Sequence, residues 1–164
     1  MSMSSTKADA AVLQFEPEFM AVLQHLTEEF VSFNKVLGLK LESANATTVT
    51  ARMEMQPHLV GHATYNRIHG GAISAALDAM AGVAVMAAIG AKHMDEPVMK
   101  RAERFARLGT IDLRVDYMRP GIGERFVVRA EVLRLGSRVA TTRMDFLSEE
   151  GEMLAVGMAA YITS

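Results

Sequence analysis

The sequence predicts an α+β fold in which a curved antiparallel sheet wraps around one long central helix, and three observations support this prediction. The segment 70–91 is apolar nearly all round and carries one charge, Asp78, so a helix there needs cover on every side. Segments of alternating polar and apolar residues flank it, as half-buried strands do. A sheet with one polar face must bury its other face. A sheet that curls around the helix meets both needs.

An amphipathic helix and two strands are predicted before the central helix. Apolar residues recur at spacings of three and four over residues 17–36, which is the helical period, and Gly38 ends this helix. Residues 37–42 alternate as a first strand. Residues 48–55 alternate more clearly and predict a second strand.

Further strands are predicted after the central helix. Apolar residues mix with Lys and Arg over residues 92–108, which predicts a loop and a basic amphipathic turn or helix. Alternation then predicts at least three antiparallel strands, which involve residues 111–117, 126–133, 140–146 and 153–162. This order of elements is that of a hotdog fold with an extra N-terminal helix.

Composition excludes several classes of function. A net charge of −2 over 164 residues gives no basic field for nucleic acid, so no nucleic-acid partner is expected. The chain has no cysteine, which excludes disulfides, thiolate chemistry and sulfur-ligated metal centres. Residues 1–15 are predicted to be a flexible leader without the order of a secretory signal, and residues 16–164 a single cytoplasmic domain.

The long apolar segment also raises the question of a membrane. It is about as long as the ~20 residues that span a bilayer. However, it is mostly Ala and Gly, it contains Asp78, and it lies between segments that alternate like water-facing strands. We therefore expect a buried helix and no membrane partner.

The chemistry is predicted to centre on Asp78 and on the start of its helix, at His69-Gly70-Gly71. Two glycines at a helix start let a ligand approach closely, and the first helical N–H groups have no intrahelical acceptor. Asp78 lies two helical turns after Gly70, roughly 12 Å along the axis, so the two cannot share one small substrate atom within a chain. Antiparallel packing of two helices in a dimer would bring Asp78 to Gly70 of the partner subunit. Otherwise Asp78 is a structural carboxylate that hydrogen-bonds backbone or a partner.

Three motifs add a family resemblance. They read NRIHGGAISAALD over residues 66–78, TIDLRVDYMRP over residues 110–120 and GSR over residues 136–138. Together they resemble the hotdog acyl-CoA thioesterases of the phenylacetate-degradation type, and the resemblance covers roughly residues 36–162.

The resemblance implies a homodimer with shared active sites, assembled as a dimer-of-dimers tetramer, which needs no cofactor beyond the CoA moiety of its acyl-CoA substrate. The Gly70 N–H would polarise the thioester carbonyl. Asp78 would act as general base on water or as nucleophile, and both roles stay open. Thr110 would orient the attacking water or the intermediate.

Substrate-binding positions follow from the same resemblance. Arg119, Ser137 and Arg138 would meet the nucleotide and phosphates of CoA, which suits the fork of donors on Arg. Gly71 belongs to the glycine pair that leaves room for the ligand. The alternative for each Arg is a solvated surface residue.

The loop before the helix departs from the family pattern. Many members have an Asn or Gln there that binds the catalytic water or the thioester. Here Asn66 is closer to His69 than the usual spacing, and His62 lies nearer the expected place, so either could fill the role. His69 itself either acts in acid–base catalysis or caps the helix.

Two other functions remain as alternatives. A hotdog hydratase or dehydratase would pair a His with an acid, but the glycine pair after His69 fits a hydrolase better. A non-catalytic acyl-CoA sensor would need no carboxylate at Asp78.

The five histidines show no ligand spacing beyond the weak pair His58 and His62, so no metal is expected. The expected substrate is a medium- or long-chain fatty acyl-CoA, with an aryl-acyl-CoA as the alternative, and the few aromatic residues favour the fatty acyl chain.

Overall fold

The computed structural model describes residues 13–163 and consists of one six-stranded antiparallel sheet, a central helix and a helical N-terminal segment. The helices are α1 (Pro17–His25), α2 (Ser32–Leu37), α3 (Gly70–Lys92) and α4 (Val98–Glu103). The strands of the sheet are β1 (Lys40–Ala44), β2 (Thr48–Glu54), β5 (Gly109–Tyr117), β6 (Arg125–Leu135), β7 (Val139–Ser148) and β8 (Met153–Ile162). A separate two-stranded ribbon joins β3 (Val60–His62) to β4 (Arg67–Ile68).

The sheet follows the order β1-β2-β6-β7-β8-β5, so β5 forms one of its edges. Buried and less buried residues alternate along β6, β7 and β8, as in a sheet with one face on the core. The buried face lies against α3, which contacts β2 and β5 to β8. The predicted hotdog fold is thereby confirmed.

The central helix is long and apolar enough to cross a membrane by length and composition alone. In the structure 61% of its most apolar window is buried inside the fold, with Leu77, Met80 and Val85 fully covered. This burial is that of a core helix, as the sequence predicts.

The N-terminal helical segment differs from the single helix predicted over residues 17–36. A π turn (Leu26–Phe30) follows α1, and the backbone becomes extended at Val31 before α2 begins. The predicted start of the first strand is also wrong, because Leu37 still belongs to α2. Gly38 ends α2 in the left-handed region at φ 69°, which glycine adopts without steric cost, and β1 starts at Lys40.

Aromatic packing and a buried ion pair fix α1 against the rest of the domain. The ring of Phe19 lies directly on Gly90 of α3, where a Cβ would overlap it. The guanidinium of Arg101, on α4, lies 4.5 Å from the centre of that ring and pairs with the carboxylate of Glu16. Most of the leader predicted over residues 1–15 lies outside the described residues, but Phe15 is buried and packs against Phe19, with the ring centres 4.7 Å apart and the ring planes tilted by 53°.

Candidate active site

The Asp78 carboxylate lies on the half-buried face of α3 and accepts hydrogen bonds from two neighbouring strands. Thr110 at the start of β5 donates from Oγ1 to Asp78 Oδ1 at 2.9 Å. The hydroxyl of Tyr161 on β8 lies 2.5 Å from the same oxygen and 2.7 Å from the backbone carbonyl oxygen of Asp78. One hydroxyl carries one hydrogen, so Tyr161 donates to one of these oxygens at a time.

The position of Tyr161 follows from strand register. Thr110 and Tyr161 are paired across β5 and β8, so one carboxylate meets both hydroxyls. The sequence analysis did not identify Tyr161 as a site residue. The one indication in the sequence is a tyrosine hydroxyl in a C-terminal strand that otherwise consists of small and aliphatic residues.

The environment keeps Tyr161 protonated. Burial, together with the hydrogen bond to Asp78 and the charge of that carboxylate, raises the pKa of the Tyr161 phenol far above its usual value of about 10. Tyr161 is therefore a neutral hydrogen-bond donor, not an acid or base, at physiological pH.

The start of α3 forms a second polar cluster. His69 caps the helix, because its Nδ1 accepts the N–H of Gly71 at 2.8 Å. This is the capping role that the sequence analysis gave as an alternative to acid–base catalysis. The amide of Gly70, as the first helical residue, has no intrahelical acceptor. Tyr117 at the end of β5 donates its hydroxyl to the carbonyl oxygen of Gly70 at 2.7 Å and so fixes the Gly70–Gly71 peptide, which directly follows the peptide that carries the Gly70 N–H.

The two clusters line separate cavities. Asp78, Thr110 and Tyr161 line an apolar cavity of about 370 Å³, which we call the inner cavity. Gly70 lines another of about 360 Å³ together with Tyr117 and Arg119. Within one chain the structure does not bring Gly70 to Asp78, in agreement with the roughly 12 Å expected along the helix.

The loop residues His62 and Asn66 do not contact Asp78 either. His62 ends β3, and its Nδ1 is buried without a hydrogen-bond partner among the described residues. The loop lies close to His69, because a Cβ on Gly61 would come within 2.7 Å of the His69 Cα. Asn66 adopts the left-handed conformation at φ 45° and lines a different, polar cavity with Arg125.

The proposed CoA-binding residues lie at opposite ends of the sheet edge. Arg119 follows β5 on the Gly70 side, where it pairs with Glu152 at 3.0 Å and donates to the carbonyl oxygen of Met153 at 3.2 Å. Ser137 and Arg138 form the turn between β6 and β7. The backbone of Arg138 accepts the N–H of Thr163 at 2.9 Å, next to the strand end that carries Tyr161.

The described residues contain no group of three or more His, Cys, Asp or Glu side chains arranged to hold a metal ion.

The family model and the relatives found by comparison with known proteins agree on one family. Residues 65–155 match the model of the thioesterase superfamily. The chain is 38% identical over 130 residues to the medium/long-chain acyl-CoA thioesterase YigI of Escherichia coli K12, which covers 79% of this chain and 84% of that protein. The Salmonella typhimurium YigI protein is 37% identical over the same shares.

Solved structures show the same architecture. A protein from Shewanella oneidensis related to the thioesterase superfamily superposes with a TM-score of 0.81 and 32% identity, over 92% of this chain and 100% of that one. Thioesterase superfamily member 2 from zebrafish superposes with a TM-score of 0.71 over 92% of this chain and 100% of that one. At 20% identity it bears on the fold alone.

Proposed function

The chain belongs to the thioesterase superfamily and is a thioester hydrolase, and we propose that it hydrolyses medium- and long-chain acyl-CoA to the free acid and CoA. The named activity of the YigI relatives supports this substrate class. The observation that carries the proposal is a carboxylate, Asp78, held by two hydroxyls at the wall of an apolar cavity.

The hydrogen bonds leave one carboxylate oxygen available for chemistry. Thr110 and Tyr161 both approach Oδ1 of Asp78, and no described residue donates to Oδ2. We assign Oδ2 to the reaction, either as the base that takes a proton from water or as the nucleophile that attacks the thioester carbon. In the first route water adds to the carbonyl carbon, the carbon–sulfur bond breaks, and the proton passes from Asp78 to the sulfur of CoA.

The rest of the active site comes from a second subunit, so that each site is shared across a dimer interface. The edge of the sheet at β5 has unpaired backbone groups, and it carries exposed apolar side chains at Ile111, Tyr117 and Met118. Antiparallel pairing of this edge with its own copy brings the Thr110 end of one strand beside the Tyr117 end of the other. Because Tyr117 binds Gly70, the Gly70 N–H of the partner subunit then faces Asp78 and stabilises the oxyanion.

The same pairing of subunits also brings the proposed CoA-binding residues close to one another. Ser137 and Arg138 lie near the Asp78 end of the sheet, and Arg119 lies near the Gly70 end. In the dimer these residues flank the entrance of one active site, with Arg119 contributed by the partner subunit. The guanidinium groups suit the phosphates of CoA.

We further propose a dimer of such dimers, located in the cytoplasm and acting in fatty acid metabolism. The exposed outer face of the sheet carries large apolar side chains at Leu133, Val139 and Met158, which suits a second interface. No cofactor is required, because Asp78, water and backbone N–H groups suffice for thioester hydrolysis.

The test is release of free thiol from a panel of purified acyl-CoAs by the wild-type protein and by Asp78→Asn. Wild-type turnover on lauroyl- and palmitoyl-CoA, reduced by about 100-fold or more in Asp78→Asn, supports the proposal. Asp95→Asn is the matched control, because it removes an exposed carboxylate that lies outside β5 and lines neither the inner cavity nor the cavity at Gly70. Tight acyl-CoA binding without turnover on any chain length would contradict hydrolysis and indicate a sensor.

A further inference from the structure

A second apolar groove lies outside the inner cavity and opens between α1 with its π turn and the α4 region. Its volume is about 730 Å³. Ten of its twelve lining residues are apolar, and the two polar ones are Glu18 and His25, so its surface suits a hydrocarbon and offers few hydrogen-bond donors. We call it the outer groove.

The outer groove and the inner cavity share a wall. Leu26, Val31 and Met86 line both of them. Leu26 begins the π turn and Val31 directly follows it, and the Val31 N–H donates a hydrogen bond to the Leu26 carbonyl oxygen at 3.4 Å. The irregular turn that breaks the predicted N-terminal helix therefore stands where the two spaces meet, and π turns are frequent at functional sites.

The path between them follows one face of α3. Asp78, Gly82 and Met86 are spaced four residues apart and all line the inner cavity, so they form one row along the helix. Gly82 leaves space beside the carboxylate, because a Cβ there would touch its neighbours only at 3.8 Å or more. From Asp78 to Met86 the helix rises roughly 12 Å, which matches an extended acyl chain of medium length.

We propose that the outer groove binds the distal part of a long acyl chain and that Met86, with Leu26 and Val31, forms the junction that such a chain must pass. This inference rests on the proposed thioesterase function and adds the residues that determine which acyl-chain lengths the protein accepts. A short or medium chain ends within the inner cavity. A longer chain passes Met86, whose unbranched side chain can change rotamer, and covers apolar groups that are otherwise exposed, such as Phe30 and Met99.

The experiment fills the outer groove without touching the inner cavity. Ala21 on α1 is exposed and lines only the outer groove, so Ala21→Trp occupies it from one wall. Ala106→Trp does the same from the opposite wall and covers the case in which the first variant fails to fold. Gln24→Trp is the matched control, because Gln24 is an exposed residue of α1 that lines neither space.

The readout is kcat/KM on butanoyl-, octanoyl- and palmitoyl-CoA. We expect Ala21→Trp and Ala106→Trp to lower the value for palmitoyl-CoA about tenfold or more and to leave butanoyl-CoA within about twofold, with Gln24→Trp unchanged on every substrate. Unchanged palmitoyl-CoA turnover would overturn the inference. So would an equal loss on all chain lengths together with a smaller oligomer, which would assign the groove to a second copy of the chain.

A binding measurement separates this inference from the proposed function. Dissociation constants for intact palmitoyl- and octanoyl-CoA are measured in the Asp78→Asn background, with and without Ala21→Trp. Weaker binding of palmitoyl-CoA alone supports the groove even if the wild-type protein hydrolyses none of the panel. Equal binding of both ligands in the two variants contradicts the groove even if hydrolysis is observed.

Discussion

The hydroxyl of Tyr161 lies 2.5 Å from Oδ1 of Asp78, and the two residues are 83 positions apart in the chain. This contact joins the last strand of the sheet to the middle of the central helix. The hydroxyl also lies 2.7 Å from the backbone carbonyl oxygen of Asp78, so it holds Oδ1 close to the helix backbone, while Thr110 binds the same oxygen from the neighbouring strand. We infer that Tyr161 positions the carboxylate and leaves Oδ2 for the proposed reaction.

Removal of this hydroxyl tests the positioning role. Tyr161→Phe keeps the ring and its packing but removes one of the two donors to Asp78, so we expect kcat to fall about tenfold with little change in KM. Tyr65→Phe is the control, because Tyr65 is exposed and 62% accessible. Equal kcat for Tyr161→Phe and wild type would contradict the role of Tyr161.

The raised pKa of Tyr161 predicts a specific response to alkaline pH. In the unfolded chain a tyrosine ionises near pH 10, whereas in the folded protein Tyr161 keeps its proton to higher pH because it is buried beside Asp78. Its contribution to stability is therefore fully present below about pH 10 and is lost as the pH rises above that value.

Two measurements check this response. Tyrosinate absorbance should show ionisation of Tyr161 only together with alkaline unfolding, and the free energy of unfolding of Tyr161→Phe should decline less steeply above pH 10 than that of wild type. Identical alkaline profiles for the two proteins would mean that Tyr161 ionises as freely in the folded state as in the unfolded one.

Thr110 provides the second donor to the carboxylate. Thr110→Val keeps the shape of the side chain but removes its hydroxyl, so we expect a loss of about tenfold in kcat. Thr110→Ser retains the hydroxyl and should keep most of the activity. The prediction fails if Val and Ser at this position give the same kcat.

The N–H of Gly70 can be removed with little change to the helix. Pro is tolerated at the first helical position, and His69 already has the extended conformation (φ −68°, ψ 135°) that precedes a proline. We expect Gly70→Pro to lower kcat about 100-fold or more by removing an oxyanion donor.

Gly70→Ala is the matched control for this prediction. It keeps the N–H, and its Cβ would meet the Tyr117 ring at 3.3 Å, the same neighbour that a proline ring meets. We expect it to retain most of the activity. Equal losses in both variants would attribute the effect to crowding at Tyr117 and would remove the Gly70 N–H from the mechanism.

Local pattern was enough to predict the parts of the fold that depend on nearby residues. The central helix follows from the length and nearly uniform apolar character of its segment, the main strands follow from the period of 2, and Asp78 is visible as the one charge in an apolar run. The break at Val31 was missed because the apolar residues Leu26, Phe30 and Phe33 keep spacings of four and three in the sequence across it. The first strand was placed too early because Leu37 alternates with its neighbours although it packs as the end of a helix.

The site was predicted less completely, because its contacts depend on strand register. Thr110 was identified through the resemblance, whereas Tyr161 meets Asp78 only because β5 and β8 pair Thr110 with Tyr161. Tyr117 was quoted within a motif, but its bond to the Gly70 carbonyl requires the fold. The water-binding residue stays a prediction for His62 or Asn66, since neither contacts Asp78 within one chain.

The central claim is that each active site combines Asp78 of one subunit with Gly70 of the other, and mixed oligomers test it most directly. Asp78→Asn and Gly70→Pro chains with different affinity tags are co-expressed, and oligomers that contain both are purified. Of the two sites in a mixed dimer, one then carries both defects and the other carries none. We expect about half of the wild-type kcat per mixed dimer, although each variant alone loses about 100-fold or more. Mixed oligomers as inactive as either parent would contradict it.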